Sequence, residues 1–371
     1  MSDLVSAAVA VDALQTEMKR FPSPDTGADD GILAVEIAGV CGTDWEIYQR
    51  ESRGRELGPL ILGHENVGRI SAVGQQASRR WGVGAGDRVV IEEFIPCGHC
   101  RLCRAGHYRI CEATDSRSGR PFLRYGSTPA SIPPALWGGF AELLYLHPNS
   151  IVYPLPEELP GDLAALFVPI SNGIRWVVQE GGGTVGQSIV IQGPGQHGLG
   201  CVVAAKEAGM GPIIVGGLAR DASRLEIARE LGADHVVQVD ESDLVAEVAD
   251  FTDGHMADLV IDVTPGATVA VELAMEVATK RGTVILAGSK HGRPVSNFLN
   301  DVVVKKELTI KGVRGHDRLS VEPALRLIAS RRYPLERLCT HRFGLDEVDR
   351  ALRMVGERAD PAAVHVNVVP A

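Results

Sequence analysis

The chain has 371 residues, more than one ordinary core accommodates, so its length favours two domains. Lys and Arg number 37 against 47 Asp and Glu, a formal net charge of −10, and such a surface repels nucleic acid and anionic membranes alike. No apolar run approaches the ~20 residues that span a bilayer, and no basic stretch leads into an apolar N-terminal core, so a cytoplasmic enzyme is expected.

Residues 31–40 (GILAVEIAGV) alternate and are β-rich, and 60–73 and 87–94 follow with Gly-containing turns between them. Short strands at this spacing predict a compact, β-barrel-like unit. Gly, Pro and Ser crowd residues 104–139, which read as a long loop excursion, and its part over 114–139, with Trp137 and Phe140 nearby, is expected to shape the pocket. The pattern then changes. An apolar run at 188–192 ends in Gly193-Pro194-Gly195-Gln196-His197-Gly198, and a helix over 199–208 closes at Gly209. A strand at 212–215, a helix over 223–231, a strand at 258–263, a helix near 267–279 and a strand at 282–288 follow. Strands alternating with helices indicate βαβ units on a doubly wound parallel sheet, making the chain α/β. The last sixty residues return to a mixed pattern ending in a strand at 365–369, and are expected to rejoin the first unit.

Seven cysteines in a chain of this kind point to ligands, catalytic groups or free thiols rather than disulfides. Cys97-x2-Cys100-x2-Cys103-x7-Cys111 places four thiolates on one tight loop. Zinc takes four soft ligands in a tetrahedron, and with every position filled by protein the site is structural. Cys41-Gly42-Thr43-Asp44 and Gly63-His64-Glu65 each end a β-like segment. A thiolate, an imidazole and a carboxylate suit an open zinc site, where the metal polarises a substrate oxygen and lowers its pKa.

Gly193-x-Gly195-x-x-Gly198 follows a strand and opens a helix, the context of a dinucleotide loop. The first glycine permits the turn, the second lets pyrophosphate approach, and the third lets helix and strand pack closely. The acid expected at the end of the second strand is absent, and Arg220 and Arg224 are nearby. NAD and NADP both remain open, with NADP mildly favoured by the arginines and Asp221 left to serve NAD.

In this order, the CGTD motif, GHE, the four cysteines, the glycine loop and KGV at 311–313 resemble the zinc-containing medium-chain alcohol dehydrogenases, especially the sorbitol and threonine dehydrogenase branch. The resemblance covers nearly the whole chain. It implies a GroES-like catalytic domain over 1–170 and 311–371, carrying the structural zinc loop at 97–111, and a Rossmann domain over 171–310. It also implies a homodimer or homotetramer acting on a small alcohol or ketone. Cys41 and His64 would hold a catalytic zinc, Thr43 would accept the substrate proton, and Asp44 would orient a ligand. Asn172 matches a position near the nicotinamide.

Three positions depart from the family pattern. The third protein ligand of many relatives falls at Val168, which cannot bind zinc, so Glu65 is expected to take its place. The proton-relaying histidine of many relatives is Glu46 here. Arg314-Gly315-His316 stands where the polyol branch often has Arg-Tyr. Two other readings compete with a zinc-dependent alcohol or polyol dehydrogenase. One is a nucleotide-binding protein that has lost its catalytic zinc. The other is a zinc-independent enoyl or quinone reductase, which retention of Cys41, His64 and the four cysteines disfavours.

Overall fold

A computed structural model of the chain describes residues 4–49, 58–115 and 123–370; residues 116–122 of the expected loop excursion lie outside them. The walls of the first unit are β-strands rich in Val, Ile and Ala, residues that fit a pleated, buried surface. In chain order they are β1 (Leu4–Asp12), β2 (Gln15–Pro22), β3 (Gly31–Val40), β4 (Leu60–Ile61), β5 (Glu65–Val73), β6 (Arg88–Ile91), β7 (Leu143–Leu146) and β8 (Val152–Pro154). The hairpin of β1 and β2 precedes the first strand expected from the pattern. Its turn carries no Gly or Asn signal, and Leu14 adopts φ +56° there. β3 pairs antiparallel with β5 and β7, and almost every residue along it is buried. Leu33, Tyr125 and Phe140 are completely buried in the core of this unit. Each such side chain contributes roughly 1.5–3 kcal/mol relative to exposure.

The second unit spans Val168–Leu338. Its strands are β9 (Ile189–Gln192), β10 (Ile213–Gly217), β11 (His235–Gln238), β12 (Ala257–Asp262), β13 (Ala278–Leu286) and β14 (Thr309–Gly312). They form one parallel sheet in the order β11-β10-β9-β12-β13-β14. The order reverses between β9 and β12, and in open α/β sheets ligands bind beyond the strand ends at such a switch point.

The tail rejoins the first unit at Cys339 and not at 311. The reason is that β14 pairs parallel with β13, so one more strand and the helix Arg318–Ala329 belong to the nucleotide-type sheet. β15 (Cys339–Gly344) and β16 (His365–Val369) then complete the first unit, with β16 antiparallel to β3. Among the described residues no helix is long and apolar enough to cross a membrane.

The helix Gln196–Glu207 lies so close to β9 that a Cβ on Gly198 would sit 1.9 Å from the Gly193 carbonyl oxygen. Gly198→Ala should therefore destabilise the chain by about 1–3 kcal/mol, the usual cost of overpacking. Thermal unfolding reads this as a lowered midpoint, and an unaltered midpoint would mean that the helix can shift away without loss.

Candidate metal centres and nucleotide site

The four cysteines of the 97–111 loop are gathered by backbone hydrogen bonds to sulfur. The N–H groups of Cys97, Cys100 and Cys103 donate to the sulfurs of Cys111, Cys97 and Cys100, each at 3.4 Å. Cys97 and Cys103 sulfurs are 3.9 Å apart, and those of Cys100 and Cys111 are 4.0 Å apart. A tetrahedron with metal–sulfur bonds of about 2.3 Å has edges of about 3.8 Å, so the spacing suits zinc, whereas a disulfide needs about 2.05 Å. Burial pushes the Cys111 thiol up, but the Cys97 N–H and neighbouring donors outweigh it and bring the thiol down to about 6. A thiolate is thus available near neutral pH, as a metal ligand must be.

The second group is assembled from the ends of two strands and one short helix. Cys41 follows β3 and begins the helix Gly42–Tyr48, while His64 and Glu65 enter β5. One ligand atom from each of Cys41, His64 and Glu65 lies within 4.8 Å of the others, and all three residues are buried. Asp44 is fully buried one turn into the helix. Its carboxylate accepts from the N–H of Cys41 at 2.9 Å and of Gly63 at 3.1 Å, and lies 3.2 Å from His64 Nδ1. That contact turns His64 Nε2 toward the other ligands, the familiar carboxylate–histidine support of a metal site. Burial pushes the His64 pKa down, yet Asp44 and Glu93 outweigh it and hold it well above the usual range. The surroundings are anionic and call for a cation, which a bound metal supplies in place of the proton. Thr43 Oγ1 is 3.9 Å from the Cys41 sulfur, and Glu46 sits half-buried on the same helix.

Three residues absent from the sequence reading join this group. His365, on β16, faces Glu65 with Nε2 at 2.9 Å from Oε2, and both are completely buried. Glu93 is 3.6 Å from His64 Nε2 and pairs with Arg124. The only signal for Glu93 was a pair of carboxylates, Glu92-Glu93, at the end of a strand-like segment. His365 carried no signal, because it lies 300 residues from its partner. Val168 is buried in the helix Phe167–Ile174 and offers no donor.

In the second unit the three glycines differ in the reason for each. Gly193 has φ +105°, Gly198 touches backbone, and a Cβ on Gly195 would meet nothing within 4 Å. Only the middle position opens onto free space, where a pyrophosphate fits against the helix N-terminus. Asn172 is buried, with Nδ2 3.3 Å from His197 Nδ1 and with Oδ1 making no hydrogen bond among the described residues. That acceptor suits an amide donor. Arg224 is buried and paired with Asp221 at 3.3 Å, which commits both inside the fold. Of the two arginines expected to meet a 2′-phosphate, only the exposed Arg220 keeps that option. Asp240, beyond β11, reaches the end of β10 and accepts from the Ala219 N–H at 2.8 Å.

The family description "Alcohol dehydrogenase GroES-like domain" matches residues 27–157, and "Zinc-binding dehydrogenase" matches 198–330. A protein of Mycobacterium tuberculosis named "Probable alcohol dehydrogenase adh" is 40% identical over the full length of both chains. The L-threonine 3-dehydrogenase of Pyrococcus abyssi is 31% identical over 92% of each. The crystal structure of an alcohol dehydrogenase from Thermotoga maritima matches all of both chains with a TM-score of 0.87 at 26% identity.

Because Asp44 orients His64, Asp44→Asn should weaken metal binding at Cys41, His64 and Glu65 by about 10–100-fold. Chelator competition reads this directly, with the four-cysteine cluster as internal control. Equal affinity in the variant would mean that His64 is oriented by some other group.

Proposed function

Since the chain belongs to the zinc-containing medium-chain alcohol dehydrogenase family, we propose that it interconverts a secondary alcohol or polyol and its ketone, using one catalytic zinc, one structural zinc and NAD. The observation that carries this reading is the buried convergence of Cys41, His64 and Glu65, with Asp44 behind His64. When bound, zinc supplies Lewis acidity to the substrate oxygen, and the nicotinamide supplies a two-electron acceptor.

The protein's own residues do the rest. Cys41, His64 and Glu65 would hold the catalytic metal, and His365 fixes the Glu65 carboxylate. Thr43 takes the proton of the substrate hydroxyl and passes on its own, and Glu46, three residues along the same helix, is the next acceptor. Buried surroundings strengthen each of these polar contacts and hold the reacting groups in place. Cys97, Cys100, Cys103 and Cys111 would hold the structural zinc. Gly195 would receive the pyrophosphate on a loop shaped by Gly193 and Gly198, and Asn172 Oδ1 would accept from the carboxamide.

Asp240 supports NAD as the cofactor. The second strand lacks a terminal acid, but this neighbouring carboxylate stands at its end, where it can bind a ribose hydroxyl and repel a 2′-phosphate. Arg220 offers the opposing influence from an exposed position.

Two measurements test the reading. Nicotinamide absorbance should report turnover of secondary alcohols by the enzyme carrying two zincs per chain. Cys41→Ser should lower it by roughly a thousandfold, the several kcal/mol that metal polarisation provides. The same variant should keep one zinc and its fold. A fully metal-loaded enzyme that turned over no alcohol would count against the reading, and one zinc in the wild type would favour a nucleotide-binding protein without catalysis. For the cofactor, Asp240→Asn should raise NADPH affinity relative to NADH by about tenfold, the scale of one hydrogen bond to a charged group. Fluorescence titration follows this, and an unmoved ratio would remove Asp240 from cofactor choice.

A further inference from the structure

The two metal groups of the first unit are joined by one short run of chain. β6 ends at Ile91, Glu92-Glu93-Phe94 follows, and Cys97 comes four residues after Glu93. Backbone bonds hold this run in place. The Glu92 N–H donates to the Ile151 carbonyl oxygen at 3.0 Å, and the Tyr125 N–H to that of Glu93 at 2.9 Å. The two carboxylates face different groups. Glu93 turns to Arg124, with Oε2 3.6 Å from His64 Nε2, while Glu92 Oε2 accepts from the Tyr108 hydroxyl at 2.7 Å. Tyr108 belongs to the cysteine loop, and its carbonyl oxygen accepts from the Cys111 N–H at 3.0 Å. A metal that fixes Cys111 therefore fixes the phenol as well. Glu92 is completely buried, and a carboxylate removed from water must keep its hydrogen-bond partner. If the phenol moves, Glu92 follows it and carries Glu93 along. Burial and the Glu92 charge push the Tyr108 pKa far up, so its hydroxyl remains a donor. A second link runs through side chains. The Phe94 ring meets Tyr108 edge-on, 6.5 Å between centroids, and the Arg124 guanidinium lies 5.0 Å from the Phe94 centroid. Arg124 Nε then donates to Glu93 Oε2 at 3.0 Å.

We propose that Tyr108, acting through Glu92, positions Glu93 beside His64, so that metal in the cysteine loop strengthens metal binding at Cys41, His64 and Glu65. This rests on the two-metal reading above and adds a coupling between its sites. Tyr108 touches neither metal nor substrate and is a positioning residue. Glu93 places negative charge beside the nitrogen left for the metal once Asp44 has taken Nδ1, and outer carboxylates of this kind govern metal affinity. Coupling is reciprocal, so metal at Cys41, His64 and Glu65 also tightens the hold of the cysteine loop on its own.

The test uses the full chain with cobalt(II) at Cys41, His64 and Glu65 and zinc in the cysteine loop, so that elemental analysis tells the two sites apart. Chelator competition gives the affinity of each, and the visible cobalt bands report the geometry of the first. Tyr108→Phe should hold cobalt about 5–150-fold more weakly than wild type, the usual range of coupling between sites, and should shift the bands. Glu92→Gln still accepts from the phenol and should keep most of the wild-type affinity. If Tyr108→Phe folds poorly because Glu92 is left unpaired, Glu92→Gln/Tyr108→Phe decides, since it buries no lone carboxylate and should show the same loss. Cys41→Ser, which empties the first site, should loosen the cysteine-loop zinc by the same factor, but not when Tyr108→Phe is also present. Wild-type cobalt affinity and unshifted bands in the phenylalanine variants overturn the proposal. So do effects of Cys41→Ser and Tyr108→Phe on the cysteine-loop zinc that simply add, because independent sites behave that way. A wild type that takes up metal in the cysteine loop alone refutes the two-metal reading itself, and the proposal falls with it.

Discussion

Three carboxylates, those of Asp44, Glu65 and Glu93, are buried within one hydrogen-bonded neighbourhood, and the architecture of the first unit answers to that constraint. An ionised carboxylate removed from water costs several kcal/mol unless it is paired or accepts hydrogen bonds. Asp44 is satisfied by two backbone N–H groups and His64, Glu65 by His365, and Glu93 by Arg124. The compensating groups arrive from four separate segments of chain, at Cys41, Gly63-His64, Arg124 and His365. The excess of negative charge also gives the site its appetite for a cation, because Cys41 and His64 both stand inside it.

The backbone makes room for this concentration of charge. Gly39 on β3 lies opposite Glu65 on β5, and Asn367 on β16 pairs with Gly39 from the other side. A Cβ at Gly39 would sit 2.2 Å from Glu65 Oε2 and 2.9 Å from His365 Nε2. The missing side chain is the space in which those two groups meet. The return of the chain at β15 and β16 is thus part of the chemistry as well as of the sheet, since it delivers the partner of a proposed metal ligand.

The two metal groups and the glycine loop differ in how far they reach along the chain. The cysteine cluster closes within 15 residues, and its backbone N–H groups tune the sulfurs they surround. The second group draws on residues 41, 44, 64, 65, 93, 124 and 365, whose proximity depends on strand pairing. The glycine loop is local again, and each glycine is demanded by a separate contact: a left-handed φ, an open approach and a close packing.

That difference in range explains what could be read from the chain alone. Spacing within a single loop or turn determined the cysteine cluster, the glycine loop, the β-rich first unit and the parallel second one, because those features follow from local ligand geometry and residue periodicity. The convergence of Cys41 with His64 and Glu65 was suggested by their donor chemistry and by the resemblance of their motifs to a known family, since nothing in local spacing brings residue 41 to residue 64. Tertiary structure alone decided that His365 backs Glu65, that Glu93 and Arg124 stand beside His64, and that Asp240, from beyond β11, accepts a hydrogen bond at the end of β10. It also decided that Arg224 is spent on Asp221 and that the parallel sheet takes a sixth strand before the tail returns. Partners brought together by β-sheet register across tens to hundreds of residues leave no periodic trace in a single sequence, so only the folded chain reveals them.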